Sequence, residues 1–239
     1  VEESVTRGEE TKAKLIEAAG QVFAERGFRA ATVREICRRA GTPLGAMNYH
    51  FRDKKGLYTA VLEHSFQSAT EKYPPTLGIE DGATPEEKLR AYILSFLLGI
   101  LDEGVPAWHM KLIFQEVSEP AGALDHLVQS YILPDHNYLL GILREMLEEG
   151  RASDGEGSDF IFLCAMSVVG QCMCYFTGRR VIRAIHPKSF NPADIERIAD
   201  HVTQFSLAGI QLLSKRREAH SKAESGNRPG RRAQKPPDS

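Results

Sequence analysis

The chain has 239 residues, 42% of them hydrophobic, which suits one large domain or a small module joined to a larger one and excludes a disordered chain. No run of 18 apolar residues without charge appears, so no membrane span is expected, and the opening Val-Glu-Glu-Ser does not read as a signal peptide. The formal net charge of −2 hides an asymmetry: residues 7–56 carry 11 Lys/Arg against 6 Asp/Glu, residues 57–214 carry 11 against 21, and residues 215–239 carry 8 against 3. A basic head on an acidic body implies that only the head meets a polyanion.

Helical patterns dominate and strand patterns are nearly absent, which predicts an all-α fold. Residues 1–8 read as a loose arm. Over residues 11–26, Leu15, Ile16, Ala19, Val22 and Phe23 form one helical stripe, and Gly27 suits a stop. Thr32-Val33-Arg34-Glu35 is a capping box, in which the Thr32 hydroxyl caps the backbone while Glu35 reaches back. That helix is predicted to reach Ala40 and stop at Gly41, because glycine takes the positive φ of a tight turn between helices. Thr42 fits the N-cap of the next helix and Pro43 its first position. A fourth helix starts at Asp53 and buries Leu57, Val61 and Leu62.

The stretch from Tyr73-Pro74-Pro75 to Gly82-Ala83 is the clearest boundary. It divides a three-helix head (8–68) from a helical body (69–215), followed by a basic, disordered tail (216–239). In the body, Thr84-Pro85-Glu86-Glu87 is a second capping box. The helix it opens carries Leu89, Ile93, Phe96, Leu97 and Ile100, and Gly104-Val105-Pro106 breaks it. Further helices are predicted over 107–118, 122–150, 158–185 and 192–215, the last opened by Asn191-Pro192.

The cysteines, Cys37, Cys164, Cys172 and Cys174, form no CxxC pair. Cys172 and Cys174 diverge by about 200° on a helix. Reduced thiols in a cytoplasmic protein are the plain reading, with neither zinc nor disulfides. No Gly-rich phosphate loop, GxSxG or HExxH occurs, so the chain does not read as an enzyme, and no catalytic residue, metal or cofactor is assigned.

Residues 32–51 are the informative stretch. The helix beginning at Pro43 is small and polar where a core helix would be bulky. Gly45 and Ala46 permit close approach to a base edge or backbone, and Thr42, Asn48, Tyr49 and His50 supply hydrogen bonds. Lys54, at the start of the next helix, suits a phosphate clamp. Thr32, Arg34, Pro43 and Leu44 complete the candidate DNA-binding set.

Residues 12–62 closely resemble the DNA-binding domain of TetR-family regulators. The matching text is Ala18-Ala19 with Phe23, Glu25-Arg26-Gly27-Phe28, Thr32-Val33-Arg34-Glu35-Ile36, Ala40-Gly41, Gly45-Ala46, and Tyr49-His50-Phe51 with Lys54 and Leu57-Tyr58. The resemblance implies a helix-turn-helix head that binds double-stranded operator DNA. It also implies a helical domain for ligand sensing and dimerisation, and a homodimer released from DNA by a small molecule, most often a repressor. The helix at 43–49 would enter the major groove. Asn48 stands where many members have an aromatic residue, which suits base reading through its amide. Gln115-Glu116-Val117-Ser118-Glu119-Pro120, Leu133-Pro134 and Ser167-Val168-Val169-Gly170-Gln171 with Tyr175-Phe176 resemble the subgroup of the cefoperazone and chloramphenicol sensitivity regulator.

Ile195, Ile198, Val202, Phe205, Gly209 and Leu212 alternate spacings of three and four, a seam suited to pairing across a dimer with Val168 on the apolar helix at 160–176. That helix lacks a polar face and is expected to be buried all round. A pocket is predicted among Phe96, Trp108, His109, Gln115, Glu116, Tyr138, Met146, Cys172, Tyr175 and Phe176. His109 and Glu116, seven apart on one helical face, could also hold a metal. Arg179, Arg180 and Arg183 read as complements to a helix C-terminus.

Overall fold

The computed structural model describes the backbone of residues 2–101, 108–147, 155–186 and 192–226. Among these residues every regular element is helical. The head comprises α1 (Glu2–Ala30), α2 (Val33–Ala40), α3 (Leu44–Phe51) and α4 (Lys54–Lys72). The body follows with α5 (Pro85–Leu101), α6 (Trp108–Ser118), the short α7 (Leu124–Leu127), a π-helical turn (Val128–Ile132), α8 (Leu133–Met146), α9 (Gly155–Thr177), α10 (Arg179–Ile185) and α11 (Pro192–Gly226).

Several boundaries differ from the sequence reading. Residues 2–8 are the start of α1, not a loose arm. Gly27 does leave helical geometry, at φ 75°, but the chain resumes a turn as far as Ala30. The helix predicted over 122–150 is interrupted by the π-helical turn before Pro134, a residue that cannot donate the next ladder bond. Gly178 separates α9 from α10, so Arg179 and Arg180 open a helix instead of closing one. Backbone helix continues to Gly226, through the first part of the expected disordered tail. The expected break at Gly104-Val105-Pro106 and the cap at Asn191 lie outside the described residues. The second capping box holds in full: Thr84 N–H donates to Glu87 at 2.8 Å and Glu87 N–H donates to the Thr84 hydroxyl at 3.3 Å.

Two apolar cores organise the chain. The body core gathers Leu89, Tyr92, Ile93 and Leu97 of α5, Leu139 and Leu143 of α8, Ile161, Ala165 and Val168 of α9, and Ile195, Ala199 and Val202 of α11. Surface ion pairs brace it, Lys88 to Glu145 at 2.8 Å and Arg90 to Asp200 at 2.7 Å. Each contributes little while solvated. The head core joins Leu15, Val22 and Phe23 to Ile36, Met47, Phe51, Leu57 and Leu62, and then takes in Trp108 and Leu112 of α6 and Leu127 of α7. The division at 68/69 is therefore not a break in packing, since α6 and α7 complete the head.

The predicted dimer seam needs correcting. Val168, Ile195, Ile198 and Val202 are all buried in this protomer's own core and offer nothing to a second copy. Gly209 is half-buried, and only Phe205 and Leu212 remain exposed. α9 is likewise not buried all round. Ile161, Cys164, Ala165, Val168 and Cys172 face the core, while Phe162, Leu163 and Met166 are exposed. By length and composition alone Ser158–Thr177 is apolar enough to cross a membrane, a property that a helix with one face in a protein core shares, and Ile161, Ala165 and Val168 lie in the body core.

Candidate nucleic-acid interface

α2, the turn and α3 form a helix-turn-helix whose joints can be traced bond by bond. Gly41 takes φ 65°, the left-handed geometry its lack of a Cβ allows. Its N–H reaches the Arg38 carbonyl at 3.3 Å, and the Thr42 N–H reaches that of Cys37 at 3.0 Å, which closes α2. Thr32 accepts from the Glu35 N–H at 3.3 Å as predicted, but the Glu35 carboxylate pairs with Arg26 at 2.9 Å. Thr42 does not cap α3. Pro43 occupies that position, and the Thr42 hydroxyl is buried without a hydrogen-bond partner.

α3 buries only Met47 and Phe51. Leu44 is 52% exposed and Tyr49 is 85% exposed, beside exposed Pro43, Gly45 and Asn48 and half-buried Ala46 and His50. Thr32 and Arg34 at the start of α2 are exposed as well. Arg34, Arg38, Arg52 and Lys55 have no ion pair among the described residues, whereas Arg39 is held by Glu25 through two bonds of 2.8 Å. That bond from Arg39 holds the Glu25 carboxyl below its ordinary range. Arg38 and Arg52 were not picked out from sequence, where each is one arginine in a charged run.

Lys54 plays a different part from the predicted phosphate clamp. Its ammonium donates to the carbonyls of Phe28 at 2.9 Å, Ala31 at 3.1 Å and Arg29 at 3.4 Å, and lies 4.6 Å above the Phe28 ring. It ties the start of α4 to the corner between α1 and α2. Lys54→Met should cost about 2 kcal/mol, or roughly 4–8 °C of Tm, because charged hydrogen bonds are lost. The salt dependence of DNA binding should not change. Melting curves and salt titrations check this, and a reduced salt slope would restore the phosphate role.

The predicted pocket residues are dispersed. Trp108, His109 and Glu116 belong to the contact between head and body. The Trp108 ring lies on Gly20 of α1, where a Cβ would come within 2.5 Å, and its indole N–H donates to Glu17 at 3.2 Å. Glu116 is fully buried and accepts from the N–H groups of Ala121, Gly122 and Ala123 at 2.9, 3.2 and 2.7 Å. Its carboxylate therefore folds the turn into α7 and is not free to hold a metal. Burial, then the Glu116 charge, push the neighbouring Tyr58 phenol well above its ordinary value.

His109 is buried with neither ring nitrogen partnered, and lies near His64. Burial first, then the His64 charge, lowers its pKa from 6.5 to about 4. A depressed folded pKa means the unfolded chain binds more protons in that window. This contribution to stability is complete above about pH 6.5 and is lost as pH falls towards 4. His109→Leu should flatten the fall in Tm over that range. An unchanged pH profile in the variant would contradict the assignment.

Of the other pocket candidates, Cys172 is buried, and Phe96, Tyr138, Met146, Tyr175 and Phe176 are half-buried around the body core. Gln115 is half-buried on α6. An open groove of about 440 Å³ lies on the head, between α1 and α2, lined in part by Lys14, Glu17, Gln21 and Arg39. The body does contain a polar pair that the sequence did not reveal. The Tyr92 hydroxyl donates to Asp135 at 2.7 Å across α5 and α8, and burial pushes the Asp135 carboxyl above its usual range. All four cysteines are free, and only Cys174 is exposed.

Comparison with known proteins agrees with this architecture. Residues 15–61, from α1 into α4, match the family of bacterial regulatory proteins named for TetR. Residues 85–210, more than half the chain, match the C-terminal domain of the HTH-type transcriptional dual regulator CecR. The chain belongs to the TetR family. Its body is of the CecR type, as the subgroup motifs implied. Among related TetR-type regulators, SrpR of Pseudomonas putida is 28% identical over 149 residues, taking in 62% of this chain and 66% of SrpR, just under two thirds of that relative's length. Solved TetR-like folds include FadR of Bacillus subtilis in complex with stearoyl-CoA, at TM-score 0.60 and 20% identity over 82% of this chain and 98% of that one. Another is AibR in complex with isovaleryl coenzyme A and operator DNA, at TM-score 0.57 and 17% identity over 82% and 97%. At these identities the two structures speak for the fold.

Proposed function

We propose that this TetR-family regulator binds a near-palindromic operator as a homodimer, with α3 in the major groove, and that a small molecule bound by the body weakens that binding. The observation that carries the reading is α3 itself: a helix of a basic head that buries two residues and leaves Leu44, Gly45, Asn48 and Tyr49 open. Such a helix fits the major groove, and two of them about 34 Å apart fit successive turns.

The second copy would cover an exposed apolar face. α9 contributes Phe162, Leu163 and Met166, and α11 contributes Phe205, Leu212 and Leu213. Gln171 of α9 donates to Ser206 of α11 at 3.1 Å, which holds the two helices as one surface. Pairing two such faces as a four-helix contact buries them without lipid.

Coupling to an effector runs through two elements in this reading. α4 joins the end of α3 to the body, and α6 wedges Trp108 and Leu112 into the head core. An effector that prefers the arrangement with misplaced heads would lower DNA affinity; a coupling of about 1–3 kcal/mol corresponds to roughly 5- to 150-fold. FadR and AibR carry acyl-CoA ligands, which makes acyl thioesters the first class to screen. Repression is the role most consistent with release by ligand. In the test, the purified protein selects from a random-sequence duplex pool. Recovery of an inverted repeat is the expected result, and recovery of no preferred sequence would overturn the reading.

A further inference from the structure

The joint between α3 and α4 is strained, and the residue bearing the strain is an arginine with no ion pair among the described residues. Arg52 has φ 66° and ψ −54° and is the single non-glycine with positive φ among the described residues. The Asp53 N–H donates to the Phe51 carbonyl at 2.7 Å, two residues back. Those dihedrals and that bond define the γ-turn of the rare, strained hand.

The neighbours hold the turn in place. The Asp53 carboxylate accepts from the Gly56 N–H at 2.8 Å. A Cβ on Gly56 would come within 2.2 Å of the Phe51 carbonyl, so only glycine admits this approach. Lys54 fastens the next residue to three carbonyls of the α1–α2 corner. At the centre of this arrangement Arg52 is exposed, and its guanidinium has no partner among the described residues. Glycine would fit the backbone better, and a strained residue that persists at an over-determined corner marks a side chain in use.

We propose that Arg52 is a DNA-backbone contact, and that the strained γ-turn serves to present its guanidinium beside the C-terminal end of α3. A planar guanidinium there suits a phosphate oxygen, and one such contact per head would fix the depth and register of α3 without reading bases. The inference rests on the DNA-binding reading above.

Two substitutions separate charge from strain. R52Q keeps the strained backbone and removes the charge. R52G removes both. The probe is a duplex that the wild-type protein has selected from a random-sequence pool, and affinity is measured against salt concentration. Both variants should bind about tenfold or more weakly at low salt. The slope of log K against log salt should fall by about one unit for each bound head. R52G alone should also melt about 2–4 °C higher, because glycine relieves the turn. Wild-type affinity and slope in R52Q would overturn the contact, and an unraised Tm in R52G would overturn the role of strain. If the wild-type protein selects no duplex at all, the DNA-binding reading fails first and this inference falls with it.

Discussion

Replacing Gly45 with leucine should abolish specific DNA binding while leaving the protein folded and slightly more stable. A Cβ added to Gly45 meets nothing within 4 Å in the protein, so the larger side chain has room in the free state. Glycine inside a helix is unfavourable by about 0.8–1 kcal/mol relative to a good helix former, so Tm should rise by roughly 2–4 °C. In the complex the same position would face base edges, where an isobutyl group occupies the space DNA needs. Binding should fall towards the nonspecific level, a loss on the order of a thousandfold. Differential scanning and an affinity measurement on one sample decide it. Unimpaired binding would mean that α3 does not enter the groove at this residue.

The second large effect is on assembly. Phe205→Asp should turn a dimer into a monomer without unfolding either chain. Phe205 is 65% exposed on α11, so its loss leaves the core of the protomer intact. In the proposed dimer it is covered, and each copy would bury an unpaired carboxylate. That costs several kcal/mol per contact, enough to weaken dimerisation about a thousandfold. Operator affinity should fall in parallel, because two linked heads gain from each other's binding and one head does not. Sedimentation of wild type and variant reads this directly, and a variant that stays dimeric would place the interface elsewhere.

What was legible in the sequence was local. Local rules served well: Gly41, Thr32 and the Thr84–Glu87 box each act through bonds to near neighbours, and their chemistry is written in four or five consecutive residues. Questions of which face meets what were harder. Ile195, Ile198 and Val202 have the spacing of a dimer seam, yet a helix packing on its own core has the same spacing. Trp108 and Glu116 looked like pocket lining because apolar and acidic residues mixed on one helix. Their partners, Gly20 and the turn into α7, are chosen by tertiary contact. Lys54 sat where a phosphate clamp was expected, but its long stem reaches back to the end of α1. Arg52 carried no signal, since a positive φ at a non-glycine residue is set by the bonds around it.

The central claim is that two copies of α3 read two half-sites on one face of DNA. A hydroxyl-radical footprint of the wild-type protein on its selected duplex tests it most directly. Two protected segments related by a two-fold axis, centred about one helical turn apart, are the predicted result. A single unsymmetrical segment, or uniform weak protection along the duplex, would contradict it.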